Sequence, residues 1–413
     1  MSKLKQYLFK YSIEEFLLMV FVLTLPINEN VNTWFLISVT AVTLYKVYQL
    51  KLKSYVKENS LLLFIPAFLF ILKLIGLIYA EDAGKAFEQA IRLLTLLFLP
   101  LVLIVLSKIS SKNIENLVFK ALILGCSIAI VICWTNSISA VIRNNEPLLN
   151  VLEWKRSNEF LTRIIDIHPP YLGLMLVASI LYLFSNYIYN KQNSFKKTVA
   201  SITGLVFLLF LFNLAARNSL LSLLILSIIF FVYKKNWKVI LGLLTIIILT
   251  SILVTTSLSN DDRTSFIERK FYTTLNLYDE EFGDKRFQRL DATFEAFKQN
   301  IIFGSGTGYD NNIRKAYYKK TNQMNAYAES HNAHNQFVEY LGAYGLLGFF
   351  TFLYVLFFVF RKAVVKNQSF YIVLLTLFSL ACLTESLLER ELGIKYFSLL
   401  IGLIYCSNKK VKT

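Results

Sequence analysis

Charge and reactive side chains are scarce in this sequence. Only 17% of its 413 residues are charged, while 55% are hydrophobic. A balance that apolar over so long a chain excludes an ordinary soluble domain. The hydrophobic residues come in runs such as VILGLLTIIILTSILVTTSL, long enough to cross a bilayer as a helix. Lipid cannot satisfy backbone polar groups, so such runs must be helical. Cysteine occurs four times, and Cys126, Cys133, Cys382 and Cys406 all lie inside apolar runs. Cys126 and Cys133 on one helix are separated by roughly 10 Å, which excludes a disulfide between them. They read as buried small hydrophobes. The chain shows no low-complexity tract, convincing repeat or separate soluble domain. It also lacks a P-loop and a G-x-G-x-x-G. The glycines of FGSGTGYDNN, Gly304, Gly306 and Gly308, read as a tight turn after a helix.

The apolar runs predict about twelve spans, near 13–28, 32–48, 60–80, 87–107, 116–135, 169–189, 198–213, 218–233, 238–257, 335–360, 368–385 and 393–407. The basic, then apolar start is followed by PINEN instead of a small-residue cleavage site, and reads as the first span. The formal charge of +16 invites a nucleic-acid reading. Its placement argues for topology instead. Lysine and arginine gather in alternate short loops: KLKQYLFK, KLKSYVK, SKISSK, NKQNSFKK, YKKNWK, RKAVVK and NKKVK. The loops between them are mixed or acidic. The positive-inside rule then places both termini in the cytoplasm and two long loops, 136–168 and 259–334, outside. The layout divides into helices 1–9 over 1–258, a large outer loop over 259–334, and helices 10–12 with a tail over 335–413.

Loops that long usually carry function. In RFQRLDATFEAFKQNIIFG, Phe287, Leu290, Phe294 and Phe297 recur at three and four, which predicts an amphipathic helix on the outer membrane surface. Arg286 and Arg289 stand beside that face, placed for lipid phosphates or simply snorkelling to headgroups. Arg217 lies at an outer turn, against the positive-inside bias. Lys73 and Arg92 lie within apolar runs in the outer half of the membrane, where charge is costly and marks candidate sites.

The three histidines are His168, His331 and His334. His331 and His334 form H-x-x-H, but a metal site needs a third ligand at a defined spacing. Glu329 or His168 could serve, yet neither stands at such a spacing, so no metal is expected. Plain loop histidines are the bland alternative. His334 falls where the second outer loop enters the tenth span, with Asn332 or Ser330 placed to cap the helix. A neutral imidazole there is a competent base, and a helix start favours a bound anion. Gly342, Gly345 and Gly348 follow at a spacing of three and form a smooth packing strip. Glu385, Glu389, Arg390 and Glu391 crowd the exit of span eleven in a supporting position.

Arginines beside a membrane suit a phosphate-bearing lipid, because guanidinium grips phosphate at two points. A histidine beside them suits taking a proton from an incoming hydroxyl. Together they point to transfer of a group from a lipid diphosphate to an acceptor hydroxyl.

These residues resemble the O-antigen ligase and Wzy-type polymerase superfamily of bacterial polysaccharide assembly. Its histidine signature is H-[N/S/Q], nine residues, then G-x-x-G. His334-Asn335 and Gly345-Leu346-Leu347-Gly348 fit that spacing, with Phe349 where threonine is common. Arg286 precedes Gly304 by about eighteen residues, as a family arginine precedes a G-x-G turn. The pairs Arg286/Leu290 and Arg217/Leu221 fit R-x-x-x-L. The likeness covers roughly residues 200–410.

The resemblance implies an all-α, GT-C-like polytopic protein of the bacterial inner membrane with a periplasmic site. It implies an inverting glycosyltransferase needing neither metal nor cofactor. The donor is a glycan on undecaprenyl diphosphate. The acceptor is lipid A–core in a ligase, or another lipid-linked glycan in a polymerase. His334 would activate the acceptor hydroxyl, while Arg217 and Arg286 would hold the diphosphate. Arg289, Lys73, Arg92, His331 and His168 are expected near substrate. Nucleic acid is not an expected partner; membrane lipids are. A flippase or transporter is the reading from another class, but no helices are broken at matching positions in two halves.

Overall fold

A computed structural model describes residues 11–406 apart from 59, 81–82, 154–155, 190–192, 234, 236–285, 309 and 330. Every regular element among the described residues is helical, and no strand occurs among them. The expected span at 238–257 lies outside the described residues. Five helices among the described residues are long and apolar enough to cross a membrane: Ala86–Ile109, Ile114–Arg143, Pro169–Ile188, Ser194–Asn213 and Gln336–Val365. Shorter apolar helices accompany them at Leu63–Tyr79, Arg217–Val232 and Ser369–Cys382. The described residues are accordingly all-helical, as in a polytopic membrane protein.

The chain divides into two compact units, Met1–Gly125 with Arg286–Thr413, and Cys126–Lys285. The first unit begins with α1 (Ile13–Thr24) and α2 (Glu29–Gln49). Ser12 and Glu15 close a capping box on α1, each side chain accepting from the other's backbone N–H. Asn28 caps α2. Next come α3 (Ser60–Gly76), α4 (Ala83–Arg92) and α5 (Thr95–Ile109). The span expected over 87–107 thus matches the apolar stretch Ala86–Ile109, which carries a two-residue turn at Leu93–Leu94 where Arg92 ends α4. α6 (Ile114–Arg143) continues eight residues beyond its expected end at 135, into the segment read as a loop.

In the second unit, α7 (Pro169–Leu183), α8 (Ser194–Asn213) and α9 (Arg217–Tyr233) pack together. Asn213 joins its pieces: it accepts from Trp134 Nε1 at 3.0 Å and donates to Val151 O and Ser157 Oγ, each at 3.2 Å. Glu146 accepts from Arg156, Asn150 and Asn144, and these bonds hold its carboxyl down at about 2.

The first unit resumes with α10 (Arg286–Gln299), α11 (Asp310–Lys320) and α12 (Met324–Glu329), followed by α13 (Gln336–Val365), α14 (Ser369–Cys382) and α15 (Glu391–Cys406). α15 lies along α5, where Gly402 admits Leu103: a Cβ there would fall 2.3 Å from Leu103 Cδ1. The helix predicted from RFQRLDATFEAFKQ is α10, but the protein buries its small-residue face. Ala292, Thr293 and Ala296 are fully buried, while Phe287 and Phe294 stay exposed. Gly342 of α13 meets Thr293 so closely that a Cβ would sit 2.5 Å from its Cγ2. α10 is thus clamped to the bundle by small residues, leaving Phe287 and Phe294 exposed.

Candidate active site

α13 starts at Gln336, and its N-cap is Asn335, whose Oδ1 accepts from Phe337 N and Val338 N at 3.0 and 3.1 Å. Asn335 thus takes the cap role expected of Asn332, while Ser330, the other expected cap, lies outside the described residues. Asn332 Oδ1 instead accepts from His334 N at 3.1 Å. His334 therefore stands one residue before the cap and not in the first helical turn. Its φ of 49° is left-handed, uncommon for a residue with a side chain.

The His334 ring meets a carboxylate. Nδ1 lies 3.1 Å from Glu385 Oε2, and the two side chains are 19% and 7% exposed. Glu385 follows α14, in the turn to α15. The segments carrying the two residues are tied together on either side. Asn335 Nδ2 donates to Leu383 O at 3.0 Å. Glu339 Oε2 accepts from Ala333 N at 2.7 Å and from Ser386 Oγ at 3.2 Å. Arg314 of α11 holds the other Glu339 oxygen at 3.0 Å, both side chains being buried. Gln336 Oε1 accepts from Leu388 N at 2.6 Å. The ring of His331 stands edge-on to that of His334, with centroids 6.2 Å apart.

The glycine motif forms a break in α13. Gly345 adopts φ 62°, ψ −155°, a conformation essentially reserved for glycine. The chain following α10 fills the break. Leu346 N and Leu347 N donate to Ile301 O and Ile302 O at 2.9 and 3.1 Å, while Ser305 N and Gly306 N donate to Gly342 O and Ala343 O at 3.3 and 2.8 Å. The G-x-G turn and the G-x-x-G are thus two halves of one joint, which couples α10 to the helix that presents His334. Thr307 extends the joint to α3, its Oγ1 donating to Lys73 O at 2.9 Å and its N to Gly76 O at 3.2 Å.

The other expected site residues lie on both units. Lys73 is 1% exposed and pairs with Glu389 at 2.8 Å. Burial pushes the Glu389 carboxyl up from its ordinary value, against the pull of Lys73. Lys73 is thus held by Glu389. Arg92 pairs with Glu88 one turn away at 2.7 Å. Arg286 opens α10, and its side chain lies outside the described residues; Arg289 follows one turn later, half-buried. Arg217 opens α9 in the second unit, also half-buried. His168 is in that unit too, at the N-cap position of α7 but without a side-chain capping bond, its Nε2 lying 3.0 Å from Glu159 Oε1. The structure adds Glu339, Arg314 and Gln336 to the surroundings of His334. Their signal in sequence is slight: a buried charge on an amphipathic helix reads as surface until its partner is known.

A comparison with curated proteins finds no match. Residues 202–353 match the family model described as O-antigen ligase, a stretch that holds Arg217, Arg286, Arg289, His331, His334 and the Gly345–Gly348 break. That match supports the O-antigen ligase superfamily for this chain, and with it a membrane enzyme of glycan transfer in polysaccharide assembly, ligase and polymerase types not being separated.

Proposed function

We propose that this protein is a metal-independent, inverting glycosyltransferase that moves a glycan from undecaprenyl diphosphate to an acceptor hydroxyl outside the inner membrane, with lipid A–core as acceptor. The carrying observation is that the matched stretch contains a histidine held, partly exposed, just ahead of the N-cap of a long apolar helix. His334 takes the acceptor's proton. Arg217 and Arg286 hold the diphosphate, and Arg289 and His331 line its approach. The rest of the layout belongs to the same proposal: twelve spans in a GT-C-like arrangement, both termini cytoplasmic, the segment 259–334 periplasmic. His168 serves the outer loop of the second unit.

Guanidinium pairs stabilise the negative charge that grows on a departing diphosphate, and an ordered base removes the need for hydroxide. The donor's own phosphoanhydride-activated bond drives the step, so no nucleotide is required. The test uses purified protein in EDTA with an undecaprenyl-diphosphate-linked oligosaccharide, with and without lipid A–core. Glycan on lipid A–core is the expected result. Longer lipid-linked chains with unmodified core would make the protein a polymerase, and turnover abolished by EDTA would overturn metal independence.

A further inference from the structure

The geometry points to Glu385 as the positioning residue of this reaction: it fixes His334 in the one tautomer whose Nε2 can take the acceptor's proton. The inference rests on the reading of His334 as base and adds a partner to it.

A neutral imidazole has one N–H donor and one acceptor nitrogen, while an ionised carboxylate only accepts. With Glu385 Oε2 3.1 Å from Nδ1, the hydrogen bond exists only if the proton is on Nδ1. The lone pair is then on Nε2. As the new C–O bond forms at the anomeric carbon, the hydroxyl proton passes to Nε2. The old C–O bond to phosphate breaks, and its electron pair leaves on the diphosphate. The imidazolium so formed lies beside a carboxylate that is 7% exposed, where attraction is stronger than in water. The proton later passes to solvent.

The surroundings show that the pair is built and is no chance contact. Backbone on one side of His334 and side chain on one side of Glu385 converge on a single atom: Ala333 N and Ser386 Oγ both donate to Glu339 Oε2. On the other side Asn335 Nδ2 reaches Leu383 O. Arg314 fixes Glu339 in turn. The two short segments that carry the pair are thus latched on both flanks, and the left-handed backbone at His334 turns its ring toward Glu385. A carboxylate that orients a histidine in this way acts through the histidine and need not touch the substrate.

The experiment is a double-mutant cycle on the purified full chain, with an undecaprenyl-diphosphate-linked oligosaccharide as donor. Lipid A–core and a second lipid-linked oligosaccharide serve as alternative acceptors. His334→Ala, Glu385→Gln and the double variant are compared with wild type for kcat, donor KM and thermal unfolding. Glu385→Gln is expected to lose roughly 10²- to 10⁴-fold in kcat, with donor KM and unfolding midpoint near wild type. The double variant should be no slower than His334→Ala alone, because Glu385 has nothing to position once the ring is gone. A merely structural glutamate would instead give losses that multiply, and that result overturns the proposal. So does a Glu385→Gln enzyme at full rate beside a crippled His334→Ala, an outcome that leaves the role of His334 standing. Full-rate His334→Ala, or wild type inactive with both acceptors, overturns the functional reading itself. Should Glu385→Gln lose its unfolding transition, Glu385→Asp, which keeps the charge but withdraws it by one methylene, is scored in the same cycle.

Discussion

Arginine and lysine carry equal charge but different geometry, and the proposed diphosphate site distinguishes them. Guanidinium presents a planar fork that bonds two phosphate oxygens at once, whereas ammonium is a point charge. Arg286→Lys should therefore keep part of the donor affinity that Arg286→Ala loses. A ladder of donor KM values, wild type below Lys below Ala, checks it; equal effects of the two variants would rule out two-point binding. The same reasoning warns against probing the site through Glu339. Its partner Arg314 is buried beside it. Removing either would strand an uncompensated charge at about 3–5 kcal/mol, so lost activity would report lost folding. Glu385 sits at the edge of that network and is the cleaner handle. The histidine is singled out in the sequence because its motif has fixed spacing. Glu385 is legible only as one of four charges crowding a turn, since its distance from His334 in the chain hides a contact made in space.

At the scale of the element, the joint at Gly345 does what neither strand pairing nor plain helix packing would do. A membrane helix is opened for one residue, and the freed amides and carbonyls are satisfied by a loop from outside. Bilayer interiors tolerate such breaks only where protein supplies the missing bonds. A side chain at 345 faces two obstacles: a backbone conformation with φ 62°, and a Cβ 2.6 Å from Ile301 O. Gly345→Ala is expected to destabilise the protein by at least about 1–3 kcal/mol. Gly204 supplies the control, because a Cβ there meets nothing within 4 Å. Alanine at 204 should be neutral or stabilising by up to about 1 kcal/mol, through helix propensity alone. Thermal unfolding in detergent compares them, and equal midpoints would deny the joint its importance. The apolar runs read as helices from sequence because lipid permits nothing else. The breaks at Leu93–Leu94 and Gly345 do not, because hydropathy averages across them. The buried face of α10 is hidden for a related reason: small residues clamp the helix, while Phe287 and Phe294, which dominate its pattern, stay exposed.

For the whole molecule the open matter is orientation, and it follows from where positive charge is allowed to stay. Lysine-rich short loops alternate with mixed or acidic ones along the chain. Retention of lysine and arginine on the cytoplasmic side then assigns Lys57 to the inside and Lys320, in α11, to the outside. Both side chains are exposed in the structure. Cys126, Cys133 and Cys382 are buried but Cys406 is partly exposed, so the variants are built on a Cys406→Ser background to keep native thiol labelling low. With a membrane-impermeant maleimide on spheroplasts, Lys320→Cys should label at once and Lys57→Cys only after lysis. The inverse pattern would turn the protein over and place His334 on the cytoplasmic face, where a nucleotide-activated donor would be within reach. Labelling of Lys320→Cys alone in intact spheroplasts would put the histidine junction on the side that has no ATP. There the donor must carry its own activation, which is why a lipid diphosphate fits this site.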